Sequence, residues 1–376
     1  QRPETTPGTG PGSTWEAIKA YRAGKPYEDL CAKALRASHL ETILHDDGLG
    51  GVNTLCESRA WHDQFVKSPC KRIVRVETVA QDILVKNFSA DYQIDKPENA
   101  VSRFFLPFLA ELHTAGRDPD VVGFKSVVCY RTGLAVKPLS NGLIAAIAAS
   151  DLATLAEIFI EFLPSSDLDV SNSLAQLFDE YCNQGKAGLK PSVRVAHKPL
   201  NDYIVGLTMV VAGVYGKPVQ FHTGLGDSEI TLALSSPAHL QPLIVAHPQT
   251  QVVLLHSSYP YTRDAGYLCS AYANVWLDFG EVFAMISTEG SRDVIRQILE
   301  VAPTNKIMWS SDGHWWPESF YLGSLLAREA LLDVLTSSIR TSRLPVSAAI
   351  NIARNALFHT ANRVYNLGLP DPDFQL

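Results

Sequence analysis

Lys217-Pro-Val-Gln-Phe-His-Thr-Gly-Leu-Gly-Asp227 is the stretch from which the fold can be worked out. Its Pro-Val-Gln-Phe segment is a short apolar run typical of a buried strand, and His222 follows directly, before a glycine-rich turn. A histidine at the point where a strand gives way to such a turn lies at the rim of a sheet, where parallel α/β folds carry their chemistry. The stretch therefore predicts a strand that ends in a functional histidine.

The same pattern recurs along the rest of the chain. Apolar runs end in His256, near Gly280, and in Asp312, while upstream runs end near Asp47, Glu77 and Arg131. Segments with apolar residues at helical spacing separate these runs. Seven strands alternating with helices predict an α/β fold, a distorted (β/α)8 TIM-like barrel with extra helices. The eighth strand should come first, upstream of Trp15 or outside this chain.

The domain organisation follows from length and local composition. Residues 1–14 are rich in Pro, Gly and Thr, which predicts a flexible tail. Residues 15–376 are expected to form a single barrel domain, because α/β barrels often exceed 250 residues as one unit. A long helical pattern at about 141–184 predicts an elaboration between two strands. Alternation along the strand at 71–77 predicts that Arg75 and Glu77 share one face.

Composition excludes several classes of function. The net charge of -7 gives no support for nucleic acid as a partner. No apolar run reaches the roughly 18–20 residues that span a bilayer, so no membrane partner is expected. The six cysteines are scattered without C-x-x-C spacing, which favours reduced thiols in a cytoplasmic protein.

Seven stretches together carry a family resemblance. They are His45-Asp-Asp-Gly-Leu49, Arg72-Ile-Val-Arg-Val-Glu77, residues 124–134, residues 220–227, residues 254–268, Asp312-Gly-His-Trp-Trp-Pro-Glu318 and Asn362-Arg-Val-Tyr365. From about residue 28 to the end, the chain resembles the amidohydrolase superfamily, subgroup amidohydrolase 2. Within it, the chain is most similar to the amidohydrolase-like N-terminal half of FluG-type fungal developmental regulators and of plant nodulin–glutamine synthetase fusion proteins.

The resemblance implies a distorted barrel of amidohydrolase type that holds one or two divalent metal ions, most of all Zn, with Mn as an alternative. Matched by motif, Lys125 takes the family's strand 4 position, and His222, His256 and Asp312 take the metal-ligand positions on strands 5, 6 and 8. The family's usual His-x-His pair has no match in this sequence. Because of that departure, a site that holds no metal stays an alternative.

Three residues are the candidates for catalysis: Asp312, His256 and Lys125. Asp312 could take a proton from water, although an aspartate there could instead cap the helix near Pro317. His256 could bind metal or act as an acid or base, the alternative being a structural histidine in the core. Lys125 could be a carboxylated lysine between two metals, an ammonium that contacts substrate, or a lysine in a salt bridge.

Four residues are the candidates for substrate binding. Arg131 and Arg263 lie just beyond strand ends, and a guanidinium suits a substrate carboxylate because it donates two parallel hydrogen bonds. Tyr130 and Glu77 are expected beside them. The alternative for both arginines is an ion pair with a nearby acid of the protein itself. The neighbouring Trp315-Trp316 pair is expected to pack in the structure more than to contact ligand.

These observations and the resemblance favour a metal-dependent hydrolase that cleaves a C–N bond in a small, carboxylate-bearing substrate. One alternative is a metal-dependent decarboxylase of the same subgroup, and the other is a non-catalytic, FluG-like signalling module in development. A small molecule is the expected partner. A homodimer that pairs through the outer helices is also expected, as is common in this family.

Overall fold

Seven short parallel strands form one sheet whose strand order follows the order of the chain. A computed structural model describes residues 15–46, 48, 57–87, 97–150, 154, 172, 176–177, 179–180 and 194–372. The strands are β1 (Leu44–Asp46), β2 (Lys71–Arg75), β3 (Val121–Ser126), β4 (Val219–Phe221), β5 (Val252–Leu254), β6 (Val275–Asp278) and β7 (Ile307–Met308). All seven predicted strands are confirmed.

Helices connect consecutive strands, as parallel pairing requires. Those described are α1 (Trp15–Ala23), α2 (Tyr27–Ala37), α3 (Arg59–His62), α4 (Val76–Asn87), α5 (Pro97–Arg117), α6 (Asn141–Ala149), α7 (Lys198–Val214), α8 (Gln241–Ala246), α9 (Thr262–Ala271), α10 (Val282–Met285), α11 (Thr288–Val301), α12 (Pro317–Arg340), α13 (Val346–Arg354) and α14 (Thr360–Val364). None of them combines the length and apolarity needed to cross a bilayer.

The core lies in two layers, because side chains alternate between the two faces of each strand. On β5, Val252 and Leu254 join the large cluster that packs against the helices. Val253 joins a smaller cluster that also holds Ile73 from β2 and Met308 from β7. β2 and β7 are five strands apart in the sheet, so these residues can meet only if the sheet curls. The fold is therefore barrel-like.

The two edges of the curled sheet are β1 and β7, and no described residue pairs them directly. Near this gap, α2 packs on α12, where the Ser324 hydroxyl donates to the Ser38 carbonyl at 2.9 Å. The predicted first strand upstream of Trp15 and the predicted tail lie outside the described residues. So does most of the predicted elaboration at 141–184, of which α6 is the main described part.

The predicted end of the second strand was wrong. β2 ends at Arg75, and Glu77 lies in the first turn of α4. The alternation argument therefore does not extend to Glu77, because the chain has already changed from a period of 2 to a period of 3.6. A carboxylate in the first helical turn is favoured by the unpaired backbone N–H groups there.

Candidate metal centre

Three side chains that can bind metal converge at the carboxyl ends of three neighbouring strands. His256 follows β5, Glu281 follows β6 and Asp312 follows β7. One ligand atom from each lies within 4.8 Å of the other two. His256 Nδ1 is 3.2 Å from a Glu281 carboxylate oxygen. These residues form a possible metal site, in the place where barrels of this architecture carry their chemistry.

The backbone at all three positions adopts the left-handed conformation. The φ angles are 62° at His256, 60° at Glu281 and 46° at Asp312. Residues other than glycine avoid this region, at a cost of about 1–3 kcal/mol each when they are held there. Such strain concentrates at functional sites, where it directs a side chain that a relaxed turn would aim elsewhere. The shared conformation indicates that the three turns serve one site.

Buried polar atoms of two members of this cluster make no hydrogen bond in the protein. His256 is 2% exposed, and neither of its ring nitrogens has a hydrogen-bond partner. The Glu281 oxygen beside it also has none. Leaving a buried polar atom unpaired costs about 1–3 kcal/mol, which native proteins usually avoid. A divalent cation would satisfy these atoms, and an imidazole with two carboxylates is a normal ligand set for Zn²⁺ or Mn²⁺.

The ionisation of the cluster also fits a cation. Burial, followed by the charges of Lys125 and His314, lowers the pKa of His256 well below its ordinary value. The ring is therefore neutral at physiological pH, as a metal ligand must be. Burial and the nearby Asp312 charge raise the pKa of Glu281 to about 8, although Lys125 opposes this shift. Glu281 thus holds a proton at neutral pH that a cation would displace.

His222 ends β4 next to the cluster. Its ring centroid is 4.5 Å from that of His256 and 4.4 Å from that of Tyr130. Its Nε2 donates to the Leu225 carbonyl at 2.6 Å, because a carbonyl can only accept. Burial and the neighbouring His256 lower the pKa of His222, so the ring is neutral. Its Nδ1 is then the atom able to bind metal, and His222 as a ligand stays a prediction.

A buried group of two cations and one carboxylate occupies the ends of the first three strands. Asp46 on β1 accepts from Arg75 Nε at 3.1 Å and also contacts Arg75 Nη2. The Lys125 ammonium is 3.1 Å from the same carboxylate. Burial alone would raise the pKa of Asp46, but Lys125 and Arg75 outweigh it and lower the pKa to about 2. Of the three alternatives for Lys125, the structure shows the salt bridge.

Two predicted substrate-binding residues retain polar atoms without a partner. Glu77 is fully buried, and only one of its oxygens is paired, with the Ser126 hydroxyl at 2.7 Å. Burial raises the pKa of Glu77. Arg131 contacts Glu229 at 3.8 Å through Nη1, while its Nε has no hydrogen-bond partner. Arg131 therefore has a donor available for a ligand.

Three other expectations differ from what the structure shows. Arg263 is 66% exposed along its side chain and donates to both oxygens of Glu300 at 2.8 and 3.1 Å, so the structure ties it to an acid on α11 and not to the cluster. Trp315 and Trp316 are each 62% exposed, so the expectation that the pair packs internally was wrong. The N-cap of α12 is Trp316, so the alternative role of Asp312 as its cap was also wrong.

Sequence reasoning missed Glu281. It stands in Asp278-Phe-Gly-Glu281, directly after β6, at the same rim as the histidines. Its position just beyond a strand end is the signal that identified His222 and His256. Applied to every strand end, that rule would have selected Glu281 as well. Asp46 stands in the His45-Asp-Asp-Gly-Leu49 stretch that carries part of the resemblance, but its pairing with Lys125 is visible only in the structure.

The sheet is parallel and curled, and a possible metal site lies at the carboxyl ends of its strands. These two features are typical of α/β barrels that resemble metal-dependent hydrolases. A family model described as amidohydrolase matches residues 136–367, which is more than half of the chain. The chain belongs to the amidohydrolase family.

Three known proteins are similar to this chain in sequence or in fold. The chain is 37% identical over 380 residues to Protein fluG of Emericella nidulans, covering 97% of this chain but only 40% of that relative. A proposed metal-dependent hydrolase from Lactobacillus casei has the same fold, with a TM-score of 0.67, 21% identity and coverage of 91% of this chain and 78% of that one. Uronate isomerase from Thermotoga maritima is more distant, with a TM-score of 0.55, 12% identity and coverage of 93% and 72%.

Proposed function

We propose that this chain is a metal-dependent hydrolase that cleaves a C–N bond in a small substrate bearing a carboxylate. The observation that carries the proposal is the convergence of three metal-binding groups, with unpartnered buried atoms, at the ends of β5, β6 and β7. We also propose that the fold is a (β/α)8 barrel. Four buried free thiols among the described residues support a cytoplasmic location.

His256, Glu281 and Asp312 would hold the metal, with His222 Nδ1 as a further ligand. A divalent cation there supplies Lewis-acid polarisation and lowers the pKa of water. Asp312 is the candidate for the base that accepts a proton from water. Lys125 is the candidate for stabilising negative charge on the substrate, since its charge already acts on His256 and Glu281.

Arg131 is the candidate for binding the substrate carboxylate. Its Nε is buried without a partner, and its contact with Glu229 is long at 3.8 Å. Tyr130, which stacks on His222, would line the same pocket. Burial, followed by the nearby acids Glu281 and Asp227, raises the pKa of Tyr130, so its hydroxyl stays protonated and can donate. Arg263 has no part in this proposal, because its Nε and Nη2 already donate to the two carboxylate oxygens of Glu300.

The first experiment is elemental analysis of the purified protein after reconstitution with Zn²⁺ or Mn²⁺. We expect about one equivalent in the wild type, and its loss in His256→Asn and Asp312→Ala. The matched control is His247→Asn, because His247 is also buried and its Nε2 also lacks a partner, but it lies outside the cluster. Loss of metal in the control alone, or none bound by the wild type, would contradict the proposal.

The second experiment is a screen of amides and their parent carboxylic acids with the metal-loaded protein. Release of ammonia or amine is the expected result. Release of CO₂ would favour a decarboxylase. Metal binding without any turnover across the screen would favour the non-catalytic signalling module. Size-exclusion chromatography with light scattering tests the proposed homodimer on the same sample.

A further inference from the structure

Asp278 is a buried acid at the end of β6 that the proposed function does not use. It is 3% exposed and lies within the barrel rim. Its Oδ1 accepts two hydrogen bonds, from the Gly280 backbone N–H and from the Ser310 hydroxyl, each at 2.9 Å. Burial raises the pKa of this carboxylate, while the backbone N–H of His256, which also lies near it, lowers that pKa. One side chain therefore connects segments that follow three different strands.

Those three segments are the ones that carry the candidate metal ligands. Gly280 immediately precedes Glu281, Ser310 lies two residues before Asp312, and the other backbone N–H near the carboxylate belongs to His256 itself. The contact is close, since a Cβ added at Gly280 would meet the Ser310 hydroxyl at 2.2 Å and Asp278 Oδ1 at 3.0 Å. No other position in the described ranges is seen to link all three turns.

The three ligand positions need such support, because their backbones are all left-handed. Each turn would relax to an ordinary conformation if nothing held it, and the ligand atom would then point away from the others. Each hydrogen bond to a buried acceptor contributes about 0.5–1.5 kcal/mol, so bonds from separate segments that converge on one side chain can hold strained turns together.

We propose that Asp278 is a positioning residue that aligns the His256, Glu281 and Asp312 turns for metal binding. This inference rests on the proposed metal centre. It does not contact the metal. Its role is to keep three ligand atoms within 4.8 Å of one another before a cation arrives. Partners of this kind outside the ligand set typically change metal affinity by about 10–100-fold when they are replaced.

The test is Asp278→Asn, titrated with Mn²⁺ alone and followed by electron paramagnetic resonance of the free ion. Asparagine keeps the shape, but an NH₂ donor replaces one oxygen, so it either faces the His256 backbone N–H or, if the amide turns over, displaces the bonds from Gly280 and Ser310. We expect Mn²⁺ affinity to fall about 10–100-fold. Ser310→Ala removes one of the two hydrogen bonds to Oδ1, and we expect an intermediate loss of about 2–10-fold.

The matched control is Asn274→Ser at the opposite end of β6. Asn274 is also buried, and its amide donates to the His247 and Thr250 carbonyls at 3.1 and 2.9 Å. We expect this variant to lower the melting temperature without changing Mn²⁺ affinity. The proposal is overturned if Asp278→Asn and Asn274→Ser lower the melting temperature alike and both leave Mn²⁺ affinity unchanged.

Hydrogen exchange of the metal-free protein separates this proposal from the proposed function. Asp278→Asn should speed exchange in residues 279–282 and 309–313 together, since both segments lose the same anchor. If the wild type binds no Mn²⁺ but exchange rises at both segments, the positioning role stands and the proposed function fails. If exchange is unchanged at both segments, the positioning role fails whatever the metal content.

Discussion

Replacing Asp46 with asparagine should destabilise the protein more than its single charge suggests. The substitution removes the carboxylate that pairs with both Arg75 and Lys125, and leaves these two cations without it in a buried site. Removing one partner of a buried ion pair costs about 3–5 kcal/mol, because the remaining charge is desolvated without compensation.

The pKa of Asp46 gives a second measure of the same effect. It is lowered from 3.8 to about 2 by Lys125 and Arg75, against the effect of burial. At 1.36 kcal/mol per pH unit, this shift corresponds to about 2–3 kcal/mol of stability. Because the pKa is lowered in the folded state, this stability is present above pH 3.8 and is lost as the pH falls through about 2. We therefore expect a loss of about 3 kcal/mol at pH 7.

Urea unfolding of the wild type and Asp46→Asn at pH 7, 5 and 3 measures this loss. The difference between the two proteins should be largest at pH 7 and 5, and should shrink at pH 3. The matched control is Asp120→Asn, since Asp120 also bridges a lysine and an arginine, Lys71 at 2.8 Å and Arg59 at 3.0 Å. Its side chain is 49% exposed, so we expect little change. Equal losses in both variants, or a loss for Asp46→Asn that does not depend on pH, would refute the reasoning.

Three further predictions concern the rim. Gly224→Ala should lower the free energy of unfolding in urea by more than about 4 kcal/mol, because φ is +67° and the added Cβ would lie 2.2 Å from the Tyr259 carbonyl oxygen. Gly216→Ala, at φ +61° but with open space around the added Cβ, should lower it by only about 1–2 kcal/mol. With chelator present, the melting temperature of the wild type should fall as the pH rises from about 5 to 8. The reason is that folded Glu281, with a pKa of about 8, keeps a proton that the unfolded chain releases. Glu281→Gln should make the melting temperature less dependent on pH. Arg131→Met should raise KM about 10–100-fold, while Arg263→Met leaves KM unchanged; equal effects would contradict the different roles of the two arginines.

The strands could be predicted because buried parallel strands are continuous apolar runs, and a run that ends in a polar residue also marks the rim. His256 and Asp312 were found in this way, without knowledge of any contact. The same reasoning placed Arg263 in the pocket because it follows β5 closely. Thr262, Ala265, Gly266 and Cys269 are buried at helical spacing, however, which turns Arg263 outward on α9. The helical pattern was visible in the sequence but was not applied to that arginine.

Other features could not be predicted, because they depend on contacts between distant segments. No local pattern indicates that Asp46 lies against Lys125, which is 79 residues away in the chain, or that Asp278 accepts from Ser310 just beyond the next strand. The left-handed backbone of His256, Glu281 and Asp312 is equally hidden, since these residue types give no local reason for it. Tertiary structure imposes that conformation against local preference.

The rim is therefore built from arrangements that are unfavourable on their own. Three turns hold strained backbone, His256 has two unpartnered nitrogens, and Glu281 carries a raised pKa in the metal-free state. The same strands are otherwise packed and apolar, and their stability allows the rim to remain in this state. A bound cation would pair with the imidazole and the carboxylates and displace the Glu281 proton, so it would relieve the last two of these costs, while the strained turns would direct the ligand atoms toward it. Unpaired buried nitrogens and a raised carboxyl pKa that one kind of ligand corrects are better explained by that ligand than by packing.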